Sequence, residues 1–473
     1  MDVAELMAEP TLQQLEALLR LKDHGHQLRS IQCWPLGPAR RAVEATAAFN
    51  QDDWATAESL LHQLLEHPYN HQQFFSYRLL ISLHALDRHV EAVGVALELL
   101  VRHPASPYVH LTLLRLSSLC LELCMPGHWF DCIKRLGFDQ ARFSEGDRSK
   151  LSYVAGILHL FGGNYAEGWR CNQARYEAGF SVRPSLPIPE IQVDQFNDFG
   201  RKLNLVIYAD GGLGDILFSF RFVSLIRPKV SRLVLICPAS LASFARATSL
   251  FDAVTSLDEV QDQKADGWMH LNDLPLALDI QGPESRLCVP LDLRLASSLS
   301  SSQAIHDDRP LVALNWQGSP FGDSIYSIGL RNRSFSIADL ERIISLRQCR
   351  LMSVQVGANS HQIWTSVLAQ NLVSEQQDFD SSPNNFLKTA NVLLDVDLLI
   401  TNDTSVAHLG GMLGVPTWVL LNSYAYWQWG QQGSTTPWYP SVRCFRQPTM
   451  GDWTSVMEQV DEALREMLQQ GCE

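Results

Sequence analysis

The sequence predicts an α-helical repeat region followed by two α/β domains in tandem. Three observations carry this. Residues 1–185 place Ala and Leu at helical spacing and contain similar stretches about one helical pair apart. A Pro-rich stretch, "SVRPSLPIPEIQ" at 181–192, expected to be a stiff linker, then ends the helical pattern. Beyond it, short apolar runs alternate with helix-like stretches, the rhythm of strand, turn, helix and strand that builds a parallel sheet.

The helical region is expected to span residues 1–185. "DDWATAESLLHQLLEHP" (52–68) and "DRHVEAVGVALELLVRHP" (87–104) resemble each other, and each ends in His-Pro. Their matching Ala57 and Ala92 lie 35 residues apart, close to the period of about 34 of a tetratricopeptide helical pair. "GGNYAEGWRCNQARYEAGF" (162–180) looks like a later copy, with Gly168 as the small residue that lets helices approach. An ordinary helical bundle is the alternative.

The first α/β domain is expected over 200–302. "LNLVIYA" (203–209) and "RLVLICPAS" (232–240) read as strands around the helix-like "GDILFSFRFVSLIRP", with weaker strands at "AVTSL" and "GWMHL". The second is expected over 303–450, after the polar linker "SSLSSSQAIHDDRP". It reads as strands at "LVALNW", "RLMSVQV", "LLITND" and "PTWVLL", with helices at "SIADLERIISL" and "NNFLKTANVLLD". The amphipathic helix at 452–470, within a tail of 451–473, is expected to cross back over the first α/β domain.

Composition limits the function. The chain has 473 residues, 46% hydrophobic and 19% charged, which suffices for folded cores and suits about three domains. A formal net charge of −14 argues against coating nucleic acid or an anionic membrane. Ten Cys, with no basic-then-apolar leader, suggest a reduced, cytoplasmic chain. No run of about 18 apolar residues suggests a transmembrane helix.

Three stretches are candidates for chemistry. "YADGGLGDILF" (208–218) follows a strand and opens a helix. Gly211, Gly212 and Gly214 allow a tight turn and close approach by a ligand. Asp215 at the helix start would repel a phosphate, but it suits a hydroxyl from which it takes a proton. Capping of the helix is its alternative role. In "TNDTSVAHLGGMLG" (401–414), Asp403, Thr404 and Ser405 stand at a strand-to-helix turn and His408 one turn inside the helix. A helix N-terminus there suits a pyrophosphate; an N-cap with a core histidine is the bland alternative. In "LNWQGSP…GLRNRSFS", Trp316 ends a strand, and Arg331 and Arg333 are placed to reach phosphate oxygens. Cys120, Cys124, His128 and Cys132 are spaced by four, but Pro126-Gly127 breaks the helix that would align them as metal ligands. Asp395 and Asp397 read as the approach to a strand rather than a metal pair.

Taken together, "GGLGD", "LVALNWQGSP…RNRSFS" and "NDTSVAHLGGMLGVPTWVLL…YWQWG…TTPWYPSVRCFRQPTMGDW" resemble bacterial tetratricopeptide-repeat glycosyltransferases whose C-terminal part is similar to glycosyltransferase family nine, the ADP-heptose heptosyltransferases. The likeness covers roughly residues 150–465. It implies a GT-B fold, two Rossmann-like halves facing across a cleft, with the acceptor on the first and the nucleotide-diphosphate sugar on the second. It implies inverting transfer without metal or other cofactor, and the helical repeats are expected to present a surface to a protein or glycan acceptor whose hydroxyl receives the sugar. By the same resemblance Asp215 matches the base, and Asp403, Thr404, Ser405 and His408 the donor-phosphate motif. Arg333 and Ser334 match an Arg-Ser loop, Trp316, Gln317 and Gly318 belong to the donor side, and Asp210, Gly211, Gly212 and Gly214 to the acceptor side. The sequence departs from the pattern at Asp210-Gly211, where members carry Glu-Gln, and at Tyr426-Trp427-Gln428-Trp429, where they carry Asp-Trp-Arg-Trp. A repeat scaffold that binds nucleotide sugar through a vestigial GT-B part is the alternative.

Overall fold

The computed structural model describes residues 37–65, 72–86, 144–260, 264–284, 307–318, 333–357, 359–373, 385–423, 425–430, 432–449 and 451–470, with a few positions between 88 and 99. Arg331, the Cys120–Cys132 group and most of the second repeat copy lie outside the described residues. The chain divides into two compact units, Met1–Leu158 and His159–Glu473.

The first unit is helical. Helix α1 (Pro38–Asn50) starts with Pro38 at its first position, where a missing N–H costs nothing. Helices α2 (Trp54–Leu65) and α3 (Gln72–Ala85) follow, each packed on its predecessor. Phe49 and Trp54 meet edge to face at 5.4 Å across the α1–α2 turn. Ala57 and Ala92 are both fully buried. Helix α4 (Glu145–Phe161) comes later in the chain.

The second unit holds two parallel sheets. In the first, β1 (Leu203–Tyr208), β2 (Val230–Ile236), β3 (Ala253–Thr255) and β4 (Gly267–His270) run in the order β3-β2-β1-β4. In the second, β5 (Leu311–Asn315), β6 (Arg350–Ser353), β7 (Leu398–Asn402), β8 (Thr417–Leu421) and β9 (Val442–Arg446) run in the order β6-β5-β7-β8-β9. Each order reverses beside its first strand, at β1/β4 and at β5/β7. Such a reversal opens a crevice at the carboxyl ends of the strands. The strands are apolar runs buried on both faces, as parallel sheets require.

The two sheets are joined through helices. Helix α5 (Tyr165–Asn172) precedes the first sheet, while α6 (Leu213–Ile226) and α7 (Ala239–Ala247) belong to it. In the second sheet's half, α8 (Asn385–Leu394) and α9 (Ser405–Leu413) face them. Helix α6 packs on α9, and α7 on α8. One apolar core runs through this contact from Leu205 and Phe220 to Leu399 and Leu409. This is the paired Rossmann-like arrangement the sequence suggests.

Three expectations are corrected. The helical region ends before residue 185: Trp169 belongs to the core of the second unit. Arg175 and Asp273, both buried, form an ion pair at 2.7 Å, and Gln173 donates to the same carboxylate. The Pro-rich segment is no free linker, because Ile191 N–H bonds Trp268 O and Trp268 N–H bonds Pro189 O along β4. The final helix, α10 (Trp453–Gln470), covers the second sheet rather than the first. Its Val456, Met457, Val460 and Leu464 share a core with Leu314, Ile400 and Leu420, and Asp461 accepts from Ser345 N–H at 2.8 Å. Once β9 follows β8, the remaining apolar face nearest the chain end belongs to that sheet.

Candidate active site

The site lies where strand ends β1, β5 and β7 meet the first turns of α6 and α9. Asn315 and Trp316 show how the strands orient their side chains. Successive residues of a strand point to opposite faces. Leu311 and Ala313 join the core toward the helices, while Val312, Leu314 and Trp316 join the core under α10. Asn315 therefore faces the crevice side, where its amide donates to Thr401 Oγ1, Asn402 Oδ1 and Thr404 Oγ1 at 3.0–3.2 Å. Trp316 is fully buried and its indole donates to Gln362. Its side chain is thus a core element, contrary to the donor-side role the sequence suggests.

Three separated stretches converge beside Asn315. Gly318 N–H donates to Ser334 Oγ at 3.2 Å, and Asn402 reaches the same hydroxyl at 3.4 Å. A β-carbon on Gly318 would sit 2.8 Å from Arg333 Nη2 and 3.0 Å from Thr404 Cγ2. Glycine there lets the guanidinium and the start of α9 close around one point. Thr404 is the N-cap of α9 but makes no side-chain cap bond. Ala407 N–H turns back to Thr404 O at 3.1 Å, so the amides of Ser405 and Val406 are the ones open to another acceptor. Gln317 is held by its neighbours: its N–H donates to Gln355 Oε1 at 2.8 Å, and its own amide oxygen accepts from Asn359.

The other wall comes from α6. Asp215 is the third residue of that helix, whose N-cap is Gly212, and no side chain caps it. Instead the Asp215 carboxylate accepts from Gln428 Nε2 at 3.1 Å. Burial pushes the Asp215 carboxyl up to about 6; the Asp403 charge adds to the rise, and Gln428 and Arg333 oppose it. Asp403 is buried and its carboxyl is likewise raised by burial, against the pull of Arg333 and of the indole N–H of Trp429, which donates to it at 2.8 Å. Arg333 is lowered by burial and raised by both carboxylates. One cation thus serves two acids, Asp403 buried and Asp215 half-buried.

His408 joins the two walls. It is buried, stacks on Trp429 with centroids 4.6 Å apart, and its Nδ1 lies 2.8 Å from the Tyr439 hydroxyl. Burial, with Arg221 and Arg333 nearby, pushes it down to about 3. It is therefore neutral at physiological pH, and any bond it offers a phosphate is that of a neutral donor.

Sequence reasoning missed two groups here. Gln428 and Trp429 stand in one 3-10 turn, Trp427–Trp429, and serve Asp215 and Asp403 respectively. The sequence shows this turn only as a departure from the family pattern, and nothing in it gives the amide its partner. His270, ending β4, donates from Nε2 to Asp210, because its Nδ1 accepts from Asn272 N–H at 3.0 Å. Asp210 is thereby anchored at the β1/β4 reversal, and exposed Gly211 and Gly212 complete the loop. Among the described residues, no group of three His, Cys, Asp or Glu could hold a metal ion. Asp397 accepts from Leu311 N–H at 2.8 Å, which fixes the start of β5.

Comparison with known proteins gives modest likenesses. No family model matches the chain. It is 23% identical over 348 residues to the protein FlbA of Caulobacter vibrioides, a match covering 68% of this chain and 56% of FlbA. The chain thus spans about half the length of that curated relative. Among solved structures, a family 9 glycosyl transferase from Veillonella parvula is similar over 57% of this chain and 98% of its own, with 12% identity and a TM-score of 0.42. The ADP-heptose lipopolysaccharide heptosyltransferase II of E. coli is similar over 56% of this chain and 99% of its own, with 11% identity and a TM-score of 0.37. An O-GlcNAc transferase mutant of Thermobaculum terrenum is similar over 95% of this chain and 94% of its own, with 13% identity and a TM-score of 0.26. No described helix is long and apolar enough to cross a membrane.

Proposed function

We propose that the chain is an inverting glycosyltransferase that moves a sugar from a nucleotide diphosphate to a hydroxyl. The observation that supports it most is the division of the crevice. An anion-binding wall of Arg333, Thr404 and the open start of α9 faces a proton-accepting wall carried by Asp215 on α6.

The chemistry follows from that division. The acceptor hydroxyl gives its proton to Asp215 as its oxygen bonds the anomeric carbon. The bond from that carbon to the diphosphate oxygen breaks, and the electron pair leaves with the diphosphate. Negative charge grows on the leaving group, where Arg333 and the α9 amides are already aimed, so they stabilise the transition state more than the ground state. A base near pH 6 is deprotonated at neutral pH yet still basic enough to take a proton in the transition state. Attack from the face opposite the leaving group inverts the anomeric carbon. In this account the cation's task falls to Arg333 and the helix, and no metal is required. We assign the acceptor to a protein or glycan, with the N-terminal helices as its recognition surface.

The test is thermal shift of the full chain with ADP, UDP and GDP, followed by turnover of the matching nucleotide sugars with release of the diphosphate. Mass spectrometry of any co-purified nucleotide identifies the base. Stabilisation by a nucleotide without turnover of any of its sugars would favour a binding scaffold instead.

A further inference from the structure

Asp215 has two oxygens in different surroundings. Oδ1 accepts from Gln428 Nε2. Oδ2 lies toward the exposed Gly212, where a β-carbon would come within 2.9 Å of it. With glycine at that position, the approach to Oδ2 from the loop side is open.

Gln428 is locked from behind. It is 1% exposed. Its carbonyl accepts from Thr436 Oγ1 at 2.6 Å, and the next carbonyl, of Trp429, accepts from Arg446 Nη2 at 2.6 Å. The flanking rings are also fixed, Trp427 against Phe218 and Trp429 against His408. Only the amide end is directed at Asp215, from 213 residues further along the chain. A carboxylate accepts and never donates, so the NH₂ must face it. The other end, Oε1, is buried without a hydrogen-bond partner among the described residues. A glutamine present only for packing would not retain that orphan, since an apolar isostere avoids it.

We propose that Gln428 is a positioning residue for Asp215: its amide holds Oδ1 in place and leaves Oδ2 to receive the acceptor's proton. The assignment rests on the transfer function above. Gln428 also favours the ionised carboxylate, with Arg333, against burial and the charge of Asp403. At the α6–α9 contact buried His408 stays neutral, between the Arg221 guanidinium of α6, which disfavours its charged form, and the Tyr439 hydroxyl at 2.8 Å.

The experiment is a ¹³C-carboxyl titration of aspartate-labelled full-length protein, with Asp215→Asn assigning the signal. Gln428→Met keeps the shape and removes the donor. Gln428→Glu keeps the shape and adds a like charge. The Asp215 midpoint should rise from parent to Met by about one unit and further in Glu, and both variants should melt cooperatively. Transfer by Gln428→Met should fall at least about tenfold in kcat with nucleotide Kd unchanged. An Asp215 midpoint that stays put in both variants, or a Met variant with parental kcat and pH profile, overturns the assignment. If the parent transfers no sugar, the transfer function fails, while the titration, which needs no substrate, still decides whether Gln428 holds the Asp215 carboxylate.

Discussion

Gly214 and His408 are in contact across the two halves of the second unit: a β-carbon on Gly214 would stand 2.9 Å from His408 Cδ2. The histidine is pinned between Trp429 and Tyr439, so it has no room to retreat. Gly214→Ala should therefore force α6 and α9 apart and cost about 1–3 kcal/mol as an overpacking change. Gly200, where a β-carbon meets nothing within 4 Å, provides the control. Denaturant unfolding should separate the two alanine variants.

Arg333 should carry the leaving group's charge. Arg333→Ala should weaken nucleotide-diphosphate binding roughly ten- to a hundredfold, the loss of charge-assisted bonds worth about 1.5–3 kcal/mol. Gly318→Ala should weaken it too, because the added carbon displaces the guanidinium. Calorimetric titration with nucleotide diphosphates reads both. Parental affinity in both variants would move the anion site elsewhere.

In the proposed mechanism Arg333 and the α9 amides take the role of a divalent cation, so transfer should survive EDTA. Assays before and after chelation, with magnesium and manganese added back, check this. Activity lost to chelation and restored by either metal would place the diphosphate on a cation instead.

Stability should depend on pH in two opposite ways. The folded Asp215 carboxyl titrates near 6, above its unfolded value of about 4. Its penalty is fully present above pH 6 and gone below pH 4. Asp215→Asn should then raise Tm at about pH 7.5, by the equivalent of about 1–2 kcal/mol after solvent screening, with the gain vanishing near pH 4. His408 is held near 3, below its unfolded value of about 6.5. Its penalty is absent above pH 6.5 and grows as pH falls, so His408→Gln should lessen the loss of stability on acidification. Melting curves across this range test both signs.

Much of this was legible in the sequence because local rules and tertiary structure agree. The run 203–208, the glycines and Asp215 appear where strand, turn and helix should be, and residues 398–413 repeat the arrangement. Strand β9 was not read, because "VRCFR" is only five residues long, carries two arginines and does not alternate in burial. Helix α7 was not read either, because its first residues look like the end of β2. Trp316 was placed in the site although the strand's alternation sends it to the other face, and Asn315 is the residue that turns inward. Gln428 was out of reach, because its partner is set by how the halves meet and not by neighbours in the chain.

The central claim is that Asp215 takes the acceptor's proton. The measurement that tests it most directly is the pH profile of sugar transfer by the parent and by Asp215→Asn at saturating donor. The parent rate should rise with a midpoint near 6 and level off above it, since the deprotonated carboxylate is the active form. Asp215→Asn should bind nucleotide as the parent does, yet transfer at least about a hundredfold more slowly with no rise near pH 6. An Asp215→Asn variant that keeps parental transfer and the same midpoint would show that the proton leaves by another route.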